Sequence, residues 1–153
     1  MTVEKVYTGR NTFASPKPDQ EDGEHLLAIA MALNNDAESR EDGSVLGDPT
    51  EVALLDMARK YGYEKYELEG LYPRRDEIPF DSDRKCMTTF HSVPDGSPLG
   101  VKLGATGYVS ITKGAAEVKH AAVSASVVGY GIAISEVYRQ TAIDAFVLQC
   151  TGD

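Results

Sequence analysis

Between positions 51 and 114 this sequence places four side chains and one glycine whose chemistry suits a purine nucleotide: Glu51, Phe80, Lys85, Lys113 and Gly114. A nucleotide pocket built without a phosphate loop needs an aromatic face for the base, an acceptor for an exocyclic amine, and cations for the phosphates. Phe80 offers the face, and base–aromatic stacking is worth roughly 1–3 kcal/mol per base. Glu51 offers a carboxylate, which only accepts. Lys85 and Lys113 offer positive charge, and Gly114 allows close approach to the backbone. Each residue also has a plainer reading. Glu51, three residues after Asp48, fits a capping box. Phe80 beside Pro79 fits a core aromatic, Asp83-Arg84-Lys85 a solvated turn, and Lys113-Gly114 the end of a strand. Residue type and spacing alone leave both readings open.

Other chemistries find no foothold. There is no G-x-x-x-x-G-K-[ST] loop and no G-x-G-x-x-G after a strand. His25, His91 and His120 lack metal spacing and read as surface or half-buried residues. No Ser or Cys stands in a nucleophile setting, so no catalytic residue and no metal site is assigned. Cys86 and Cys150 are far apart and read as reduced thiols of a cytosolic protein. The N-terminus carries no signal-peptide core, and the longest uncharged run, 121–135, is too short for a bilayer. Direct membrane contact by this chain is therefore not expected. A formal net charge of -9 disfavours nucleic acid as a partner. The 153 residues suit one domain, 1–153, with a single core, and 42% hydrophobic and 25% charged content is ordinary for one.

The elements that must position the pocket residues follow from pattern. Residues 2–8 alternate well enough for a short strand, and 11–23, with two prolines and acidic residues, reads as a loop. Residues 24–33 are apolar nearly all round, which predicts a buried helix. Residues 34–46 are polar and read as loop. Asp48 as N-cap, Pro49 at the first helical position and Gly62 beyond Arg59 and Lys60 predict a helix over 49–61. The stretch 63–75 is ambiguous between a short helix and an edge segment. Residues 77–80 and 85–92 predict two strands joined by an acidic turn, Pro94-Asp95-Gly96 a hairpin-type turn, and 108–112 a third strand. An Ala-rich helix over 116–125 and a final β-branched strand over 127–134 complete the list. Helices early and strands late point to an α+β domain, an antiparallel β-sheet flanked by helices.

Taken in order, three segments resemble the nucleotide-binding domain of P-type cation-transporting ATPases. Gly47-Asp48-Pro49-Thr50-Glu51 is similar to that family's GDPTE segment. Phe80-Asp81-Ser82-Asp83-Arg84-Lys85-Cys86-Met87-Thr88 is similar to its F-x-S-x-R-K-x-M-[ST] segment. Lys113-Gly114-Ala115-Ala116-Glu117 resembles K-G-A-P-E, with Ala116 in place of the proline. The resemblance covers positions 1 to 117 and fades over 118–153, where 127–134 carries no arginine of the kind the family places in its closing strand. The calcium-pump branch is the most similar.

The resemblance implies that Glu51 contacts the adenine side, that Phe80 stacks on the ring, and that Lys85 and Lys113 line the pocket toward ribose and phosphates. Gly114 lets the nucleotide sit close, and Ser82 occupies a motif position at the pocket. The implied ligand is ATP or ADP. Magnesium would accompany ATP in the intact pump, with no site in this chain. The implied partner is a separate phosphorylation domain that carries the aspartate nucleophile, since the family's D-K-T-G-T-L-T motif is absent from the sequence. The chain is then expected to be a cytosolic module of an integral membrane protein that does not hydrolyse ATP by itself. The alternative is a degenerate interaction or regulatory module that keeps the scaffold and has lost the nucleotide.

Overall fold

The computed structural model describes residues 2–8, 11–13, 22–103, 107–115, 130–136 and 141–151, with side-chain surroundings for 25–101 and 107–114. Two structural layers result. Four helices, α1 (Asp22–Leu33), α2 (Pro49–Lys60), α3 (Lys65–Leu71) and α4 (Pro98–Leu103), accompany a seven-stranded sheet. Its strands are β1 (Thr2–Thr8), β2 (Asn11–Phe13), β5 (Arg74–Asp81), β6 (Cys86–Val93), β7 (Gly107–Ala115), β8 (Tyr130–Glu136) and β9 (Thr141–Thr151). They lie in the order β2-β1-β9-β8-β7-β6-β5, every neighbouring pair antiparallel. A separate two-stranded ribbon joins β3 (Glu38–Ser39) to β4 (Val45–Leu46). This is the α+β architecture the pattern predicts.

The core explains the layering. Residues 26–33 of α1 are all buried, as their unbroken apolar run requires, and they pack with α2, Tyr72 and Leu99 against Val93, Val109 and Ile111 of the sheet. On α2 the apolar positions Leu54, Leu55, Met57 and Ala58 turn inward while Asp56 faces solvent. The Asp48 carboxylate accepts from the Thr50 amide at 2.9 Å, which fixes where α2 begins. At its other end Gly62 takes φ 85°, and its amide bonds the Arg59 carbonyl at 2.9 Å, a left-handed stop that favours glycine.

Several expectations need correction. The 11–23 loop contains β2, paired to β1, and α1 already starts at Asp22. The 34–46 loop carries the β3–β4 ribbon around an Asp42–Ser44 turn. The ambiguous 63–75 stretch divides into α3 and the start of β5. Pro94-Asp95-Gly96 does not join two strands directly; the turn leads into α4, whose Ser97 Oγ accepts from Gly100 N. The strand expected over 127–134 runs from Tyr130 to Glu136 and is not the last. β9 follows it and pairs with both β8 and β1, so the two ends of the chain meet in one sheet. The helix expected over 116–125 lies outside the described residues, as does His120. His91 is fully buried rather than superficial, while His25 is half-buried against Tyr61 and Tyr63. Cys86 is a buried free thiol; the surroundings of Cys150 are not described.

Register places the site. In β7 the alternating row Val109, Ile111, Lys113 faces the helices, opposite His91, Thr89 and Met87 of β6. The first two positions enter the core. The third emerges where α1 ends and α2 begins. β5 is one edge of the sheet and is defended as edges are, by charges, Pro79 and an irregular register between Ile78 and Asp81. Phe80 lies on this edge strand, which is exposed along its whole length past Arg74, and so stays out of the core.

Candidate nucleotide cleft

The end of α1, the start of α2, the end of β5 and the β6–β7 strand ends enclose a cleft of about 580 Å³. That volume falls in the range of small-molecule sites, roughly 300–1,000 Å³. Glu51, Phe80, Lys85, Lys113 and Gly114 all line it, together with Asp36, Asp48, Thr50, Glu77, Pro79 and Met87. Ser82, in the turn beyond Phe80, is not among the lining residues.

Phe80 is 66% exposed, so the core-aromatic reading fails. A phenyl ring left this open beside a concave surface is unsatisfied by the protein's own packing. Lys113 is the opposite case, 8% exposed. Its Nζ donates to Glu51 Oε1 at 2.6 Å and to the Asn34 carbonyl at 2.9 Å. The other Glu51 oxygen accepts from the Asp36 amide at 3.1 Å. Glu51 therefore does not close a capping box. Its carboxylate, with 15% of the side chain accessible, ties α2 to β7 and to the end of α1. Glu51 and Lys113 enter the cleft as a paired unit, not as a lone acid and a lone cation.

The support behind this pair was not visible as chemistry in the sequence. Asn34, fully buried, donates from Nδ2 to the Ile111 carbonyl at 2.7 Å and so fastens α1 to β7. Asn35 donates to the Met31 and Glu51 carbonyls, and its Oδ1 accepts from Ala37 N. Arg74 donates to Asp36 at 2.8 Å, Glu77 at 2.9 Å, and the Leu33 and Asn35 carbonyls at 3.1 Å. Burial disfavours the Arg74 charge, but Asp36 and Glu77 outweigh it and raise the guanidinium pKa above its ordinary value. The available signal was Asn34-Asn35-Asp36 itself, three polar residues directly after an all-apolar helix.

The glycines of the motif segments have local reasons. A Cβ on Gly114 would collide with the Lys85 carbonyl oxygen and come within 2.5 Å of Cys86 Cβ. A Cβ on Gly47 would meet Ala37 Cβ at 2.9 Å. Between β5 and β6, Asp81 Oδ1 accepts from the amides of Asp83 at 2.7 Å and Arg84 at 3.1 Å, and those bonds hold its pKa below the usual carboxylate value. The turn closes with Lys85 at φ 53°, a left-handed conformation uncommon for lysine, which aims this residue into the cleft lining.

Comparison with known families decides the fold's kinship. Residues 23–141 match the family model described as P-type ATPase, cytoplasmic domain N. This chain belongs to that family. The N domain is similar to a calcium-transporting ATPase of Listeria monocytogenes, 39% identical over 108 residues that make up 68% of this chain and 12% of that protein. It is 44% identical over 79 residues to Calcium-transporting ATPase 1 of Lactococcus lactis, covering 52% of this chain and 9% of that protein. A calcium-transporting ATPase of Bacillus subtilis is 50% identical over 64 residues, 41% of this chain and 7% of the other. The N domain thus spans about a tenth of the length of the curated relatives it matches. No helix among its described residues is long and apolar enough to cross a membrane.

Proposed function

We propose that this N domain binds ATP by its adenine end and offers the terminal phosphate to an aspartate on a separate phosphorylation domain of a P-type cation pump. The observation that carries this reading is Phe80, exposed on a cleft beside the Glu51–Lys113 pair. Phe80 stacks on the base. Glu51 contacts the adenine side, held in place by Lys113. Lys113 and Lys85 face ribose and phosphates, Gly114 keeps the backbone close, and Ser82 sits at a motif position in the neighbouring turn.

Charge supports the direction of binding. Four carboxylates and two ammonium groups line the cleft, a balance that repels a polyphosphate and accepts a neutral base. The phosphates are then driven outward, where a second domain can reach them. Magnesium supplies charge neutralisation on those phosphates when it accompanies ATP; this chain's part is to hold and orient the base. The names of the relatives point to calcium as the ion moved by the parent pump.

The test is calorimetric titration of the 153-residue chain with ATP. The expected dissociation constant is on the order of 0.1 to several mM, because stacking and a few exposed charges yield only about 4–5 kcal/mol. Phe80→Ala should weaken binding by roughly 1–3 kcal/mol and leave the urea unfolding midpoint unchanged. No heat with wild-type protein at ~10 mM ATP would favour the degenerate interaction module instead. Unfolding of the Phe80→Ala variant would show that the ring serves the core.

A further inference from the structure

We propose that Arg74 is a positioning residue for the nucleotide cleft, setting the gap between the strand that carries Phe80 and the helix ends that carry Glu51 and hold Lys113. The inference rests on the nucleotide reading above and deepens it, by naming a residue that governs binding without touching the ligand. One part of the cleft lining is β5, through Glu77 and Phe80, and another is the α1–α2 connection and the start of α2, through Asp36 and Glu51. A ring and an ion pair act on one base together only while the spacing between them is kept, and misplacement by about 1 Å is costly.

β5 is poorly held by its own packing. It is an edge strand with β6 as its one neighbour in the sheet, and its register breaks between Arg74 and Asp76 and again between Ile78 and Asp81. Every residue of β5 past Arg74 is exposed, and none belongs to the buried core. A segment with few buried apolar contacts opens locally at low cost. Arg74 opposes that opening from the start of the strand. Its Nη1 donates to Asp36 at 2.8 Å and to Glu77 at 2.9 Å, and its Nη2 to the Leu33 and Asn35 carbonyls at 3.1 Å. One guanidinium therefore joins the end of α1 to the strand that bears Phe80. Among the described residues no other β5 side chain hydrogen-bonds to the helical layer: Arg75 turns to Ser92 of β6, and Asp81 closes the turn beyond the strand. Arg74 is not among the cleft-lining residues and faces a second hollow beside Lys65 and Pro73, so replacing it leaves every lining side chain chemically intact. The planar fork matters as much as the charge, because a lysine ammonium is a single point and does not span two carboxylates and two carbonyls.

The experiment is a double-mutant cycle on the 153-residue chain, read by ATP titration followed in amide spectra. Phe80→Ala is compared in the wild-type, Arg74→Met and Arg74→Lys backgrounds. In wild type Phe80→Ala should weaken ATP about tenfold. Arg74→Met should weaken ATP about fivefold, and adding Phe80→Ala to it should cost only about a further twofold, because the ring no longer meets the base squarely. Arg74→Lys should fall between the two backgrounds. Arg74→Met decides the matter where it gives a native amide spectrum, and Arg74→Lys decides it otherwise, a reduced Phe80→Ala factor supporting the assignment in either case. A role confined to stability would lower the urea midpoint and leave the Phe80→Ala factor at its wild-type size. That result in the deciding variant, or an ATP affinity there equal to wild type, would overturn the assignment. Failure of wild type to bind ATP, or of Phe80→Ala to weaken it, is a separate outcome that overturns the nucleotide reading itself.

Discussion

Lys113 shows how one residue serves two purposes. It is buried to 8% exposure, yet its ammonium group is at the cleft, because it is the third position in a row whose first two members are core. Its aliphatic stem can pack while its head is held by Glu51 and the Asn34 carbonyl. Removing it leaves a largely buried carboxylate and a carbonyl without their donor. Lys113→Ala should therefore cost about 2–4 kcal/mol of folding stability, read as a lower urea midpoint, besides any loss of nucleotide affinity. Lys113→Arg should recover part of that stability, since the charge is kept while the longer, planar head fits the two acceptors less well. A neutral effect of Lys113→Ala on unfolding would show the pair to be decorative. Phe80 needs no such dual role: on the irregular edge of the sheet it contributes little to packing, which is what makes its substitution a clean probe of binding.

Strand β6 carries the second structural device. His91 is fully buried, with Nε2 2.8 Å from Thr89 Oγ1 and Nδ1 3.1 Å from the Tyr72 carbonyl. The Tyr72 hydroxyl in turn accepts from Leu99 N, so β6, the α3–β5 junction and α4 are tied together. Burial, helped by the nearby Arg74 charge, lowers the His91 pKa to about 4. The sign follows directly. Between the unfolded value near 6.5 and about 4 the unfolded chain binds a proton that the folded chain refuses, so stability is full above pH 6.5 and falls as pH drops. The loss between pH 7 and pH 5 should be about 2 kcal/mol, visible as a falling urea midpoint, and His91→Gln should flatten that slope. An equal slope in the variant would assign the acid sensitivity to other groups.

The same elements show what the sequence could and could not reveal. The α2 boundaries were legible because Asp48, Pro49 and Gly62 punctuate them chemically, and α1 because an apolar run of that length has nowhere to go but inside. β2 and the β3–β4 ribbon were not, because strands of three and two residues carry too little period to read. β9 was missed because its pairing with β1 joins the two ends of the chain, a contact no local pattern encodes. At the site, the motif residues were legible only as three segments taken in order, since each residue alone also fits a plainer role. The ion pair between Glu51 and Lys113, and the clamp of Arg74 on Asp36, depend on register and on where α1 stops, so they were not.

At the scale of the molecule, the proposed function has this domain hold the nucleotide and leaves the reaction to another domain. The two edge strands of the sheet are β2 and β5, and the cleft lies at the β5 edge. An acidic chain with an acidic cleft is poorly suited to burying a triphosphate and well suited to gripping a base. That fits a family domain that accounts for about a tenth of its relatives' length. The central claim is that the cleft grips adenine, and amide chemical-shift mapping during ATP addition tests it most directly. With ATP raised to ~10 mM, the largest shifts should gather at Asp36, Glu51, Phe80, Lys113 and Gly114, and the amides of β1 and β9 should stay still. A spectrum that does not change, or changes only on the far side of the sheet, would contradict the account.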